Sequence, residues 1–284
     1  MTKTPLPPWL KRTLPATGEL QKMKDAFRSS HLHTVCESAK CPNIGVCFSS
    51  KTATYMINGN VCTRVCGFCD VKSGRPLKQD PHEPLNIAKS VAELGLEYVV
   101  ITAVNRDDLA DGGSNQFKDT AFEIRKLSPN AEIEFLIPDY NGKLEPLITT
   151  LEAKPVVLNH NLETVERITP EVRNKAQYRR SLEVLKNAKV YGNCLTKTGV
   201  MVGLGEKKEE LIQLFDDAVS VDCDILTIGQ YLSPGEKFLE VQRYVPPEEF
   251  EELKELAEKA GIKTVYSGPF VRSSFNAKEV AHLS

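Results

Sequence analysis

The chain has 284 residues and a mass of 31.6 kDa. Its 36 Lys and Arg against 38 Asp and Glu give a formal net charge of −2, with 41% apolar and 26% charged residues. This ordinary globular composition excludes a long disordered chain, a collagen-like repeat and a supercharged nucleic-acid binder. No apolar run approaches the ~18 residues that span a bilayer, and the N-terminus lacks the apolar core of a secretory signal. A cytoplasmic protein acting on neither membrane nor nucleic acid is expected.

In chain order, residues 1–35 have weak periodicity and several breakers, including Pro5, Pro7, Pro8 and Pro15. They read as an extension wrapping the body. Lys3, Lys11, Arg12, Lys22, Lys24 and Arg28 outweigh Glu19 and Asp25, so the extension is a solvated basic arm or a docking surface for an acidic partner. From residue 54, strand-like runs at 54–58, 97–103, 131–137, 155–159, 198–204 and 225–230 alternate with helical patterns. The helices are expected at 86–94, 116–127, 144–151, 181–189, 208–219 and 247–259. Near-continuous apolar runs such as Tyr98-Val99-Val100-Ile101 suit parallel strands buried on both faces. Pro247 followed by Glu248 and Glu249 is a helix start. The expected fold class is α/β, a partial parallel barrel of six strand–helix units. Its expected divisions are an N-terminal extension (1–53), the barrel (54–260) and a C-terminal strand at 262–266 with a short tail (261–284).

Cysteine usage is the sharpest signal. Six of the eight cysteines fall between Cys36 and Cys69, while Cys194 and Cys223 stand alone and read as buried structural thiols. A chain this long buries its own core, so a secreted disulfide framework explains the cluster poorly; in a reducing cytosol such spacings read as metal ligands. Cys62, Cys66 and Cys69 form C-x3-C-x2-C on a loop after the first strand of the body, where α/β barrels build active sites. Three thiolates hold three irons of a 4Fe–4S cluster and leave the fourth open to a substrate. Zinc would need a fourth ligand, and His82 is 13 residues beyond Cys69. Cys36, Cys41 and Cys47, spaced C-x4-C-x5-C, match no common zinc spacing and imply a second cluster.

The second triplet, with Phe68 before its last cysteine, resembles the signature of the radical S-adenosylmethionine superfamily. Both triplets together resemble the lipoyl synthase family closely. Further similar stretches are 41–45, 61–70, 104–113 (Val-Asn-Arg-Asp-Asp-Leu-Ala-Asp-Gly-Gly), 158–164 (Leu-Asn-His-Asn-Leu-Glu-Thr), 201–206, 226–231 and 267–275. Phe48 and Phe275 stand where that family usually has tryptophan and tyrosine. The resemblance implies two 4Fe–4S clusters and S-adenosylmethionine as cofactors, and a sulfurtransferase that inserts sulfur at carbons 6 and 8 of a protein-bound octanoyl-lysine. It implies that the auxiliary cluster, on Cys36, Cys41, Cys47 and Ser274 of the Arg272-Ser273-Ser274 motif, donates the sulfur. The implied partners are octanoylated lipoyl domains of 2-oxoacid dehydrogenases and the glycine cleavage H protein, a flavodoxin or ferredoxin, and cluster-assembly proteins.

The remaining motifs are read against that resemblance. Phe68, Asp111, Gly112, Gly113, Glu163, Arg173, Gly203 and Gly205 are expected to meet S-adenosylmethionine. Asn159, His160, Gln230, Tyr231 and Arg272 are expected to wall the substrate pocket. Competing readings are another two-cluster radical enzyme such as a methylthiotransferase, an iron–sulfur electron carrier, which usually ligates each cluster with four cysteines, and a zinc module.

Overall fold

The computed structural model describes residues 6–11, 27, 32–38, 41, 43–49 and 54–283. Lys3, Arg12, Glu19, Lys22, Lys24, Asp25 and Arg28 of the basic arm lie outside the described residues, as does the side chain of Phe48. Near the start of the chain, Trp9 Nε1 donates to the Val245 carbonyl at 3.2 Å, which ties this segment to the far side of the fold.

Among the described residues the elements run β1 (His33–Thr34), α1 (Val35–Ser38), α2 (Ile44–Ser49), β2 (Thr54–Ile57), α3 (Glu83–Leu94), β3 (Tyr98–Ala103) and α4 (Ser114–Leu127). They continue with β4 (Glu132–Leu136), α5 (Leu144–Leu151), β5 (Val157–Asn159), α6 (Thr169–Val172), α7 (Tyr178–Tyr191), β6 (Leu195–Val202), α8 (Lys208–Ser220), β7 (Ile225–Gln230), α9 (Pro247–Ala260), β8 (Thr264–Gly268) and α10 (Ala277–His282). The strands form one sheet in sequence order, β1 antiparallel to β2 and every later neighbour parallel. A helical crossover separates each parallel pair, and the sheet does not close on itself, so the expected partial α/β barrel is present.

Alternation along the strands sorts the core. Val99 and Ile101 of β3 face outwards and meet Ala88 and Val91 of α3 and Phe117 of α4. Tyr98 and Val100 face the barrel interior, where Ala277, Val280 and Ala281 of α10 close the lower end. The run expected to lie beyond the barrel pairs in parallel with β7, register Ile225↔Thr264. The parallel sheet therefore has seven strands, those of the six expected strand–helix units and this further one.

Candidate active site

The parallel strands all point their C-terminal ends the same way, and residues there enclose a cavity of about 430 Å3. All six clustered cysteines line it, together with Arg272, Ser273 and Ser274. It has the size of a small-molecule site.

The loop carrying Cys62, Cys66 and Cys69 is held by backbone pairing on both sides. Cys62 N donates to Lys72 O at 2.8 Å, Gly67 N to Val172 O at 2.9 Å and Leu239 N to Gly67 O at 2.9 Å. A Cβ on Gly67 would lie 2.8 Å from Leu239 Cγ, so the close approach requires glycine. Arg64, between the first two cysteines and 4% exposed, forks onto Asp107 at 2.8 and 2.7 Å and reaches Asp139 at 2.7 Å. These carboxylates come from the loops after β3 and β4. Burial alone pushes the Asp139 carboxyl up, but Arg64 overrides it and holds it well below the usual carboxylate range.

The other triplet lies on α1, α2 and the turn between them. Cys41 N donates to Cys36 O at 3.0 Å, and Cys47 N to Asn43 O at 2.9 Å. Burial pushes the thiols of Cys36 and Cys66 up to about 11 and that of Cys69 to about 12, so metal loading must release protons from them. All eight cysteines are free. Among the described residues no three His, Cys, Asp or Glu side chains converge as ligands of a single ion do.

Glu163, Arg173, His160 and Phe68 also line the cavity. Glu163 sits at φ +67° and its carboxyl is raised by burial, against the pull of Arg173. His160 bonds Ile137 O at 2.9 Å and Ser181 Oγ at 3.0 Å; burial, aided by Arg173, pulls it down to about 4, so it is neutral at pH 7. Tyr231 lines the wall with its hydroxyl on Leu239 O at 2.8 Å. Arg272 Nη1 donates to Val271 O at 2.7 Å.

Several expected site residues lie elsewhere. Asp111, Gly112 and Gly113 do not line the cavity. Asp111 instead accepts from Gly113 N and Asn115 N and so starts α4, while Gly113 (φ +84°) lets Asn58 come within 2.4 Å of where its Cβ would be. Gly203 and Gly205 also lie off the wall, and a Cβ on Gly203 would be 2.3 Å from Gln230 Nε2, so this glycine makes room for that side chain. Gln230 is consumed structurally, donating to Val202, Tyr231 and Arg243 carbonyls and accepting from Val245 N. Asn159 is fully buried below the cavity, its Nδ2 3.3 Å from Glu134 Oε1.

One residue of the polar cluster at the end of β5 had been given no role of its own. Asn161 Nδ2 donates to Glu163 Oε1 at 3.0 Å and to Ser273 Oγ at 3.3 Å, linking the strand side of the cavity to the C-terminal tail. Its Oδ1 is buried with no hydrogen-bond partner, a state that costs free energy until a ligand donor meets it. The wall thus offers an acceptor to a cofactor carrying N–H or O–H groups. Period-2 alternation from Asn159 was the available signal, since Asn161 lies one step nearer the strand's open end.

A family model described as the radical SAM superfamily matches residues 56–218, and one described as the N-terminal domain of lipoyl synthase matches residues 1–41. A lipoyl synthase of Caldicellulosiruptor saccharolyticus is 48% identical over 284 residues, all of both chains. One of Alkaliphilus metalliredigens is 50% identical over 274 residues, 96% of this chain and 94% of that one. The fold resembles the FeFe-hydrogenase maturase HydG from Carboxydothermus hydrogenoformans, with TM-score 0.53, 13% identity and coverage of 81% of this chain and 65% of that one. It also resembles coproporphyrinogen III oxidase from Escherichia coli, a radical SAM enzyme, with TM-score 0.53, 15% identity and coverage of 72% and 52%. Full-length agreement of this kind does not favour the electron-carrier reading or a different two-cluster enzyme. The chain belongs to the lipoyl synthase family of the radical S-adenosylmethionine superfamily.

Proposed function

We propose that this lipoyl synthase works within the single cavity, with Cys62, Cys66 and Cys69 holding one 4Fe–4S cluster and Cys36, Cys41, Cys47 and Ser274 holding a second. The reaction replaces hydrogen with sulfur at carbons 6 and 8 of an octanoyl chain amide-linked to a lysine of a carrier protein. When bound, the first cluster supplies the electron that opens S-adenosylmethionine and the second supplies sulfur. An unactivated methylene has no acidic proton for a general base, which is why a cofactor must carry the chemistry.

The chain's own residues bind, orient and exclude. Glu163, Arg173 and the free Oδ1 of Asn161 offer charge and hydrogen bonds to the cofactor, and Phe68 an aromatic face. Met56, Val71, Val104 and Leu136 give the octanoyl chain an apolar wall and keep water from the reacting carbons. Arg272 stands beside Ser273 and Ser274 at the tail. A flavodoxin or ferredoxin is the proposed electron source, cluster-assembly proteins the iron–sulfur source, and lipoyl domains or the H protein the carriers. A reducing cytoplasm suits six ligand thiols; among the described residues no helix is long and apolar enough to cross a membrane.

The observation that carries this reading is that two cysteine triplets, separate in sequence, face the same cavity as Ser274. Anaerobic iron and sulfide counting tests it, with about eight irons per chain expected for two clusters. Cys66→Ala abolishes reductive cleavage of S-adenosylmethionine, whereas Cys41→Ala retains cleavage and inserts no sulfur. Normal 5′-deoxyadenosine formation by Cys66→Ala contradicts the assignment.

A further inference from the structure

The segment after Cys69 faces two ways. Val71 and Ser73 line the cavity, and the backbone there is paired with the cysteine loop: Lys72 O accepts from Cys62 N at 2.8 Å, and Ser73 Oγ donates to Arg64 O at 2.8 Å. Lys72, Arg75, Leu77 and Lys78 point the other way and are exposed. Leu77 is 86% exposed, more than any other large apolar side chain among the described residues.

On the barrel, some exposed cations are matched by carboxylates, as in Lys118–Glu152, Arg167–Glu210, Arg179–Glu166 and Lys278–Glu97, and others, such as Lys89, Lys154 and Lys186, stand singly in the chain. Lys72, Arg75 and Lys78 have no such partner among the described residues. Lys237, also near the mouth, is already engaged with Asp70 at 3.8 Å and with the Phe238 ring. Nor is the protein basic overall, at −2. What sets this segment apart is that three such cations and the most exposed large apolar side chain among the described residues fall within seven residues, beside two residues that line the cavity.

We propose that Lys72, Arg75, Leu77 and Lys78 form the docking edge for the substrate-bearing protein, whose matching face is acidic with an apolar spot for Leu77. The proposal rests on the reading that the octanoyl chain arrives attached to a protein. The acyl chain enters the cavity while its carrier stays outside against the rim. Unpaired rim charges draw an opposite surface over about a Debye length, roughly 8 Å at physiological salt, and act mainly on association. Leu77 adds affinity through the apolar surface it removes from water on docking.

The test compares two substrates with anaerobically reconstituted full-length enzyme: an octanoylated H protein and an octanoyl-lysyl tripeptide. The variants are the triple Lys72→Ser/Arg75→Ser/Lys78→Ser and the single Leu77→Ser. The triple variant is expected to raise KM for the H protein about tenfold and to flatten its salt dependence, while kcat/KM for the tripeptide stays within about twofold of wild type. Leu77→Ser raises the same KM without changing the salt dependence. An unchanged KM for the H protein in the triple variant overturns the proposal. So does an equal loss on the tripeptide, because the strip then acts on the cavity and not on the carrier. If the wild-type enzyme thiolates neither substrate, the reading of the reaction falls and the docking edge with it.

Discussion

Asn43 Nδ2 donates to the backbone carbonyl of Phe270 at 2.6 Å, across 227 residues of sequence. Asn43 is fully buried and lies between Cys41 and Cys47; Phe270 lies two residues before Arg272. The bond therefore joins the first cysteine triplet to the tail that carries Ser274. The tail is also pressed onto the sheet, since a Cβ on Gly229 of β7 would lie 2.0 Å from Val271 O. The proposed fourth ligand is thus positioned from two sides.

Asn43→Ala removes this bond, at a cost of about 0.5–1.5 kcal/mol. The expected outcome is selective loss of the auxiliary cluster. Iron falls from about eight toward about four per chain, while S-adenosylmethionine cleavage persists. Iron analysis beside 5′-deoxyadenosine counting reads both; retention of all the iron would show that the tail is held without Asn43.

Ser274→Cys is expected to keep the cluster and cofactor cleavage yet stall sulfur insertion, because a thiolate is a softer ligand than an alkoxide and leaves iron less readily. Ser274→Ala also fails in turnover, and Ser273→Ala is milder. Mass spectrometry of an octanoyl-lysyl peptide is the measurement. A dithiolated product from Ser274→Ala together with an inactive Ser273→Ala moves the ligand to Ser273.

Arg64→Met removes the closest cation of the fully buried Asp139 but leaves Arg180 at 3.1 Å, and is expected to cost about 1.5–3 kcal/mol, the range of a hydrogen bond to a charged group. Because the Asp139 carboxyl is depressed in the folded state, its contribution is fully present above the unfolded value of about 3.9 and is lost as pH falls through the folded value. The difference between wild type and Asp139→Asn is therefore flat from pH 7 to 5 and shrinks in stronger acid, as chemical denaturation at several pH values would show.

His160 acts in the same direction but in a higher pH window. Its folded value of about 4 lies below the unfolded value, so the unfolded chain takes up a proton first as pH falls. Between pH 7 and 5 this costs about 2 kcal/mol of stability. His160→Gln removes that dependence. An unchanged slope in the variant would show that the imidazole titrates alike in the folded and unfolded chain.

Local chemistry made much of this protein legible. The apolar runs 97–103 and 225–230 became β3 and β7, and Pro247 with its two glutamates opened α9, because burial on both faces and helix-start chemistry are written within a few residues of each other. The cysteine spacings marked six candidate donors for the same reason, and all six line one cavity. The start of β6 was not legible: Lys197 interrupts the apolar pattern, and only the fold shows its ammonium 3.0 Å from Glu134 Oε1, inside the barrel. A charge can stand in a core strand only where a distant strand brings a counter-charge. The same limit applied at the cavity. Glycines at 112, 113, 203 and 205 look alike in sequence whether they admit a ligand or a neighbouring side chain, and here Asn58, Tyr140, Gln230 and Gln242 are the near neighbours. Sequence alone determined which atoms can bind metal and which segments can be strands, since both follow from residue type and short spacing. Tertiary structure alone decided that two cysteine triplets, Asn161 and a serine more than 200 residues away share one cavity, because that convergence depends on the order and curvature of the whole sheet.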